Sequence, residues 1–333
     1  MLFLFRYSFL LTALASTACV RWSPVALAPA AAGSCRSDAV EWLTPDDARE
    51  RQRLDPWCDG VGPVATNPLP GGMSAPPVSI DDVTFVSWNV HVGNGDLRTF
   101  VRDLRAGALT GPDHKVTHFV LLLQEALRTS EVPPLAPAAE GARRITANAG
   151  IDIVELTREL GLSLIYVPSM RNGDTAGSTE DRGNAIVSTL PLSNPIAVEL
   201  PGERQRRVAI LATLGSFSAG VVHLDVVGSL NRLRVFWTPW MRDRQIRSLT
   251  PALPDGPTVV GADMNAWHGR GELAVRSMMR ALDVRHLDID RHGLGLRALD
   301  YLFFRTTDGR RPQFREIRSR YGSDHRPLVG WIE

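Results

Sequence analysis

Short apolar segments that end in polar residues constrain the fold of this chain more than any other feature. Residues 119–123 are all apolar, and Gln124 and Glu125 follow them directly. A short continuous apolar run predicts a strand that is covered on both faces. Residues 328–332 form a similar run at the end of the sequence, and Asp324 and His325 precede it. Because the backbone at a strand end is held in place, these polar side chains are candidate functional residues.

Strand and helix signals alternate along residues 80–333. Residues 83–88 predict a strand that ends at Asn89, Asp96 can cap a helix, and residues 258–261 predict another buried strand. Four segments with short connections predict an antiparallel meander: residues 184–188, 196–200, 207–214 and 221–226. Strand-rich halves that alternate with helices predict an α/β (α+β) fold, in which two mixed sheets pack face to face with helices outside.

The composition is compatible with one large domain over residues 80–333. The chain has 333 residues, of which 44% are hydrophobic and 22% are charged, so it can bury a large core. The formal net charge of +1 provides no global attraction to nucleic acid or to anionic lipid.

Residues 1–18 have the pattern of a secretory signal peptide. One basic residue, Arg6, precedes an apolar stretch that is too short to span a bilayer and that ends in small residues. Ordinary cleavage near Ala18 or within residues 26–28 is one expectation, and a lipoprotein signal that ends at a lipidated Cys19 is the alternative. Either route predicts export to the periplasm, the cell envelope or the extracellular space.

Residues 19–79 predict an N-terminal extension followed by a linker. Since Cys19 lies at the cleavage region, Cys35 and Cys58 are the pair available for a disulfide in an oxidising compartment. Such a bridge would stabilise the fold by about 3 kcal/mol in the chain-entropy model. Between the cysteines, Thr44 followed by Pro45 predicts the start of a helix. Residues 59–79 are rich in Gly, Pro and Ala and predict the linker.

Six polar clusters follow strand-like segments in order along the chain. They are Ser87-Trp88-Asn89, Gln124-Glu125, Val222-His223-Leu224-Asp225, Gly261-Ala262-Asp263-Met264-Asn265, Leu299-Asp300-Tyr301 and Ser323-Asp324-His325. Their order resembles the endonuclease/exonuclease/phosphatase superfamily, which includes deoxyribonuclease I, abasic-site endonucleases, neutral sphingomyelinases and inositol polyphosphate 5-phosphatases. The resemblance covers roughly residues 82–333. It implies a deoxyribonuclease I-like, four-layer α/β/β/α sandwich of two mixed β-sheets flanked by helices.

The resemblance implies a divalent cation, which is Mg²⁺ or else Mn²⁺ or Ca²⁺. Glu125 is the first candidate ligand, because a carboxylate at the end of an apolar strand needs a cation or an ionic partner. A salt bridge to Arg128 is the alternative. By resemblance, Asn89 lies beside Glu125 and helps to hold the metal or the phosphate, although Asn after a strand is also a common turn former. Asp324 is carried over as a second ligand of the metal or of its water.

Catalytic roles also follow from the resemblance. His325 is the candidate general base that takes a proton from the attacking water, and Asp300 orients its imidazole. Asp263 positions that water, and Asn265 hydrogen-bonds the phosphate oxygens, although an Asx turn is an alternative for these two residues. His223 stabilises charge or protonates the leaving group, as the second histidine does in the deoxyribonuclease I and sphingomyelinase branches.

Substrate contacts are implied for one short segment. Arg182-Gly183-Asn184-Ala185 resembles a Gly-Asn-Ala element of the superfamily, so Asn184 and Arg182 are candidate substrate-binding residues. In deoxyribonuclease I an acidic residue orients the second histidine, but the matching place here is Gly183-Asn184. Glu180 or Asp181 is therefore the candidate partner of His223.

These features predict a secreted or envelope-associated, metal-dependent phosphoesterase that hydrolyses phosphodiester bonds by His-activated water attack. The expected substrate is a nucleic acid or a phospholipid or sphingomyelin headgroup, and the expected form is a monomer. Residues 232–244 combine Arg and Trp. They could stack on single-stranded nucleic acid, contact a membrane peripherally, or form a helix packed on the domain. The alternative function is a catalytically inactive envelope module that binds a ligand and retains the fold.

Overall fold

The computed structural model describes residues 25–30, 33, 35–70, 78–129, 150–172, 179–202, 205–226, 238–284, 299–306 and 310–333. Fourteen strands and five α-helices are formed by these residues. The strands are β1 (Leu27–Pro29), β2 (Glu41–Pro45), β3 (Ala65–Asn67), β4 (Val83–Asn89), β5 (His118–Arg128), β6 (Ser163–Arg171), β7 (Asp181–Ser188), β8 (Ser193–Leu200), β9 (Arg207–Leu214), β10 (Phe217–His223), β11 (Thr258–Asp263), β12 (Asp300–Arg305), β13 (Pro312–Glu316) and β14 (Leu328–Ile332). The helices are α1 (Ala48–Asp59), α2 (Leu97–Arg105), α3 (Ile153–Glu159), α4 (Thr238–Leu249) and α5 (Leu273–Ala281).

Two mixed sheets contain these strands. The first sheet has the order β1-β2-β8-β9-β10-β11-β12, and the second has the order β13-β14-β4-β5-β7-β6-β3. Apolar residues from the facing sides of both sheets form one buried cluster. Helices α2 and α3 cover the outer face of the second sheet, and α4 and α5 cover the outer face of the first. The predicted four-layer α/β/β/α sandwich is therefore confirmed.

Strand β5 shows why a continuous apolar run belongs at the centre of this fold. Val120 and Leu122 point into the core between the sheets, whereas Phe119, Leu121 and Leu123 point to the helical layer. This alternation buries both faces of the strand. The sheets approach closely at Gly261, where a Cβ atom would lie 2.6 Å from Leu122 Cβ.

The predicted four-strand meander is wrong at its first strand. Strands β8, β9 and β10 are antiparallel neighbours in the first sheet. Strand β7 instead pairs with β5 and β6 in the second sheet. The short connection between β7 and β8 passes from one sheet to the other, because a few residues can join stacked sheets as readily as neighbouring strands.

The N-terminal segment is built differently from the sequence-based expectation. Thr44 does not cap a helix, since it belongs to β2, and Asp47 caps α1 by accepting hydrogen bonds from the N–H groups of Arg49 and Glu50. The predicted disulfide between Cys35 and Cys58 is present. Strands β1 and β2 extend the first sheet, and β3 extends the second. Residues 25–67 thus contribute strands to both sheets.

Some predicted features lie outside the described residues, including residues 1–24, which contain the predicted signal peptide and Cys19. The described end of the Arg- and Trp-containing segment forms the start of α4, where Arg242 is buried against Glu272. This part of the segment is a helix packed on the domain. Among the described residues, no helix is long and apolar enough to cross a membrane.

Candidate active site

Strand pairing brings the predicted polar clusters to one place between the two sheets. In the first sheet, His223 pairs with Asp263 across β10 and β11, and Asp263 pairs with Asp300 across β11 and β12. In the second sheet, Asn89 pairs with Gln124 across β4 and β5. The parallel pairs β10–β11 and β4–β5 end at the same level, so their carboxyl-terminal residues lie side by side.

Asp263 is the carboxylate at which these elements meet. Its Oδ2 atom accepts a hydrogen bond of 2.9 Å from Asn89 Nδ2, which joins the two sheets. The same oxygen lies 3.5 Å from His223 Nε2 and 3.9 Å from His325 Nε2. Burial, together with the charge of Asp300, raises the pKa of Asp263 to about 6.

His325 is held by a carboxylate on one side and faces further carboxylates on the other. Its Nδ1 atom donates a hydrogen bond of 2.7 Å to Asp300 Oδ2, and its Nε2 atom lies 4.0 Å from Asp324 Oδ1. Burial lowers the pKa of His325, but the charges of Asp300, Asp263 and Asp324 outweigh it and raise the pKa to about 10. The structure thus brings His325 and Asp300 together, and the orienting role of Asp300 stays a prediction.

The loop before β14 is fixed to the second sheet, which sets the position of His325. The Ser323 hydroxyl donates to the backbone oxygen of Asn89 at 2.7 Å, and it accepts from the backbone N–H of His325 at 3.0 Å. Trp88 Nε1 donates to the backbone oxygen of His325. The Ser-Asp-His cluster and the Ser-Trp-Asn cluster therefore form one hydrogen-bonded unit.

Asn265, which lies beside Asp263 after the strand end, is held by two hydrogen bonds. Its backbone N–H donates to Asp263 Oδ1 at 3.0 Å, which is the Asx-type contact considered as an alternative. Its side-chain Nδ2 donates to the backbone oxygen of Leu224 at 3.0 Å. Asn265 thereby connects the residue after His223 to the loop after β11, and its contact with phosphate stays a prediction.

Glu125 occupies an irregular position in β5. The pairing of β5 with β7 shifts between Leu123 and Ala126, and Glu125 has a φ of 53°. Such a left-handed conformation is uncommon for a non-glycine residue and aims the side chain away from the regular strand direction. Glu125 directly follows Gln124, the residue paired with Asn89.

The salt bridge between Glu125 and Arg128 that the sequence allowed is not formed. Arg128 instead makes a bidentate pair with Asp181, at 3.1 and 2.5 Å. The charge of Glu125 acts on Arg182, since it raises the pKa of that guanidinium against the lowering effect of burial. Glu125 as a metal ligand stays a prediction.

Asp324 and a histidine that the sequence analysis missed lie together at the edge of the site. Asp324 Oδ1 is 3.1 Å from His91 Nδ1, and more than half of the Asp324 side chain is exposed. His91 follows Asn89 by two residues, and its backbone N–H donates to Asn89 Oδ1. His91 could have been identified from the sequence by its position directly after the strand-end cluster that contains Asn89.

His223 is deeply buried beside Asp263. Burial, followed by the positive charges of Arg207, His325 and Arg182, lowers the pKa of His223 well below its usual value, so the imidazole is neutral at pH 7. The carboxylate nearest to its ring is Asp263.

The predicted partners of His223 are wrong, because both acidic residues are engaged elsewhere. Asp181 binds Arg128 and accepts a hydrogen bond from Tyr166, and Glu180 accepts one from Asn172. The candidate partners were chosen by their proximity in sequence, whereas Asp263 reaches His223 through strand pairing.

The two candidate substrate-binding residues on β7 are both buried. Asn184 Nδ2 donates to the backbone oxygen of Val208 at 2.6 Å, which links β7 to β9 of the other sheet. Arg182 Nη2 contacts Met170 Sδ at 3.3 Å. Their contact with substrate stays a prediction, and Arg207 is a further buried cation of this region that the sequence analysis missed.

The site contains side chains that could hold a metal ion. Ligand atoms of Asp263, Asp300 and His325 lie within 4.8 Å of one another, the one such group among the described residues. Because His325 Nδ1 is already bonded to Asp300, the oxygen atoms are the better ligands, and oxygen is what Mg²⁺, Mn²⁺ and Ca²⁺ prefer. A carboxylate-rich site of this kind fits a hard divalent cation.

Comparison with known proteins agrees with this architecture. Residues 86–325 match the model of the Endonuclease/Exonuclease/phosphatase family. No curated protein matches the chain. The human Nocturnin catalytic domain, solved with a bound sulfate anion, is 18% identical, with a TM-score of 0.50, over 75% of this chain and 93% of that one.

Two further solved structures are similar at lower scores. An AP endonuclease from Archaeoglobus fulgidus is 14% identical, with a TM-score of 0.46, over 75% of this chain and 99% of that one. Sphingomyelinase C from Streptomyces griseocarneus is 14% identical, with a TM-score of 0.42, over 74% of this chain and 98% of that one. At these identities, structural similarity concerns the fold alone. Because the family model spans well over half of the sequence, the chain belongs to the Endonuclease/Exonuclease/phosphatase family and is a hydrolase that acts on phosphoester bonds.

Proposed function

We propose that this hydrolase is an exported, divalent-cation-dependent phosphodiesterase in which His325 activates the attacking water. The observation that supports this proposal most directly is the position of the His325 imidazole between Asp300, at 2.7 Å, and Asp263, at 3.9 Å. A histidine held in one orientation by a carboxylate is the arrangement that general-base catalysis requires.

The distance between His325 Nε2 and Asp263 Oδ2 defines where the water would bind. At 3.9 Å the two atoms are too far apart for a direct hydrogen bond and suit a bridging water. Such a water would give a proton to Nε2 as it attacks phosphorus, and Asp300 would stabilise the imidazolium that forms. Asp263 would hold the water through its second hydrogen.

His223 would stabilise the negative charge that develops on an oxygen atom as the phosphate is attacked. Its imidazole is neutral at pH 7, since its pKa is lowered well below the usual value by burial and by neighbouring cations. A neutral imidazole cannot give up a proton easily, but its N–H can donate a hydrogen bond to an oxygen that becomes negative. We therefore assign charge stabilisation, rather than proton transfer, to His223.

The family resemblance supports Glu125, Asn89 and Asp324 as the residues that would hold the cation, and the Asp263 carboxylate, which belongs to the group of potential ligands in the site, would lie beside it. When bound, a divalent cation would neutralise charge on the phosphate and on the leaving oxygen. The same positive charge would lower the pKa of His325 from about 10 and bring the imidazole closer to the neutral form that a base needs.

Export is proposed from two features together. The sequence of residues 1–18 has the pattern of a signal peptide, and Cys35 and Cys58 form a disulfide, which persists mainly in oxidising compartments. The substrate class, a nucleic acid or a phospholipid headgroup, is the one expected for a phosphodiesterase. The inactive binding module is not supported, because the candidate catalytic side chains lie in mutual contact.

The proposal is tested with bis-p-nitrophenyl phosphate as a minimal diester. Purified protein should release p-nitrophenol when Mg²⁺ or Mn²⁺ is present. Excess EDTA should reduce the rate by at least about 100-fold, because the cation no longer stabilises negative charge on the reacting phosphate. Restored Mg²⁺ should recover the activity. Hydrolysis that continues unchanged in excess EDTA would exclude the cation. Plasmid DNA, RNA and sphingomyelin assayed in parallel would identify the substrate class.

A further inference from the structure

Three successive residues after strand β4 have left-handed backbone conformations. His91 has a φ of 48°, Val92 has a φ of 53° and Gly93 has a φ of 71°. Glycine adopts this conformation without strain, but the other two residues do not, and the cost is greatest for a β-branched residue such as Val92. Backbone strain of this kind destabilises the fold and persists mainly at functional sites. The turn therefore points to a function for a residue that it carries.

This turn is packed directly against the loop that precedes strand β14. The backbone N–H of Asp96 donates to the backbone oxygen of Tyr321 at 2.6 Å. A Cβ atom at Gly322 would lie 2.6 Å from the backbone oxygen of Asn94, so a larger residue there would push the two loops apart. The packing fixes the distance between the side chains that the two loops carry.

His91 and Asp324 face each other across these loops. His91 Nδ1 lies 3.1 Å from Asp324 Oδ1, and the same oxygen lies 4.0 Å from His325 Nε2. The backbone N–H of His91 donates to Asn89 Oδ1 at 3.0 Å, so the imidazole also lies close to a second candidate cation ligand. More than half of the Asp324 side chain is exposed, so a dissolved ion can reach its carboxylate from solvent.

The short distance between the two side chains requires a positive centre. An imidazole nitrogen without a proton and a carboxylate oxygen both present lone pairs, so they repel each other unless a proton lies on the nitrogen or a cation binds both atoms. A proton would make a hydrogen bond, and a cation would make a shared site. The observed 3.1 Å is compatible with a shared site, because two ligands about 2.1 Å from one ion and at right angles lie about 3.0 Å apart.

We infer that His91 is a nitrogen ligand of the cation and makes the site select a transition-metal ion over Mg²⁺ and Ca²⁺. This inference rests on the proposed cation-dependent function and narrows its cofactor. The carboxylates of the site discriminate little, because Mg²⁺, Ca²⁺ and Mn²⁺ all bind oxygen. Imidazole nitrogen is a common ligand of transition-metal ions, whereas Mg²⁺ and Ca²⁺ are bound by oxygen. One histidine beside Asp324 would therefore change which ion the site prefers.

The test compares the binding of Mn²⁺ and Mg²⁺ in His91→Asn and His91→Asp. Asn and Asp adopt left-handed conformations more readily than other non-glycine residues, so they keep the turn and remove the imidazole. Calorimetric titration of EDTA-treated and dialysed protein measures both dissociation constants. The unaltered protein should prefer Mn²⁺, and both variants should lose at least about tenfold of that preference, since loss of a residue that only orients a ligand already costs about 10-fold to 100-fold in metal affinity.

The control variant is His118→Gln. His118 begins β5, whereas Gln124 lies near the other end of that strand, beside the site. The preference for Mn²⁺ over Mg²⁺ in this variant should equal that of the unaltered protein.

Pulsed electron paramagnetic resonance of bound Mn²⁺ gives a second readout that does not depend on activity. A coordinated imidazole adds a nitrogen modulation to the spin echo of the ion. The modulation should be present in the unaltered protein and in His325→Gln, and it should be absent from His91→Asn.

The outcomes separate this inference from the proposed function. Bound Mn²⁺ without a nitrogen modulation, or with one that disappears in His325→Gln but not in His91→Asn, would overturn the inference and leave the cation-dependent function intact. If neither Mn²⁺ nor Mg²⁺ binds, the proposed cation dependence fails as well. Should His91→Asn not fold, His91→Asp takes its place, and a modulation that it retains would contradict the inference.

Discussion

The Asp263 carboxylate is the residue on which the chemistry of this protein depends. Asn89 from the second sheet donates to its Oδ2 atom, and the Nε2 atoms of His223 and His325 lie 3.5 and 3.9 Å from the same oxygen. One buried carboxylate therefore connects both sheets and both candidate catalytic histidines. Its pKa of about 6 means that it is mainly ionised at pH 7, the form in which it can accept a hydrogen bond from water.

At the same scale, Asp300 should control the ionisation of His325. The folded-state pKa of about 10 lies above the ordinary 6.5, so this group stabilises the fold below pH 6.5, and the contribution is lost as the pH rises through 10. In EDTA-treated protein, Asp300→Asn should lower the pKa of His325 towards its ordinary value, as measured by NMR titration of the imidazole. Asp324→Asn, which removes a more exposed carboxylate 4.0 Å away, should have a smaller effect. An unchanged pKa in Asp300→Asn would contradict the assignment.

His325, Asp300 and Asp263 were predicted from the sequence, but not all of their contacts were. Asn89 was expected beside Glu125, and the hydrogen bond from its Nδ2 atom to Asp263 of the other sheet was not expected. His91 and Arg207 were not identified at all. A contact between two sheets depends on how the sheets stack, and no local pattern in the sequence encodes that register.

At the scale of single elements, helix α3 connects the strand that carries Glu125 to the rest of the second sheet. Its N-cap, Asp152, accepts hydrogen bonds from Val154 N–H and Glu155 N–H, and also from Thr129, the residue after β5. Burial raises the pKa of Asp152, but these backbone hydrogen bonds outweigh it and lower the pKa below 3.8. The cap thus helps to fix the end of β5.

Asp152→Ala should lower the free energy of unfolding by about 1 to 2 kcal/mol at pH 7, the usual cost of losing an N-cap. Because the folded-state pKa is depressed, the stabilisation by Asp152 is present above pH 3.8 and is lost as the pH falls below that value. Asp152→Asn keeps one acceptor oxygen for the cap and cannot titrate, but it loses the hydrogen bonds that Oδ2 accepts from Thr129, so its stability at pH 7 should lie between those of the unaltered protein and of the Ala variant. Urea unfolding at several pH values measures both effects, and equal stability of the Ala variant would refute the role of the cap.

Elements with a strong local pattern were predictable, and elements defined by their partners were not. The apolar run of β5 and the cap Asp96 of helix α2 were both identified from sequence. Strand β7 was placed in the wrong sheet, and Thr44 was taken for a cap although it belongs to β2, which pairs with β1 and β8. These pairings join segments that are far apart in the sequence, so a single segment does not reveal them.

At the scale of the whole molecule, the N-terminal segment connects the outer parts of the two sheets. It supplies β1 and β2 to the first sheet and β3 to the second. The disulfide links Cys35, which lies before β2, to Cys58 at the end of α1. Near this bridge, Arg36 and Arg206 both contact Glu199 of the first sheet. The described part of the segment is therefore packed against the domain.

Cys35→Ser combined with Cys58→Ser should lower the free energy of unfolding by about 3 kcal/mol, because the closed loop no longer restricts the unfolded chain. Urea denaturation of the variant, compared with the unaltered protein with and without a reducing agent, measures this effect. The reduced protein should match the double variant. A stability that is the same with and without the bridge would show that packing alone holds the segment.

The proposed mechanism requires that side chains from Asn89 to His325 converge to activate one water. It is tested by the rate of bis-p-nitrophenyl phosphate hydrolysis by His325→Gln in saturating Mg²⁺, with circular dichroism to verify the fold. Loss of the base should reduce kcat by about 100-fold to 10,000-fold, the usual contribution of general-base catalysis. A folded His325→Gln variant that retains nearly the full rate would show that His325 is not the base.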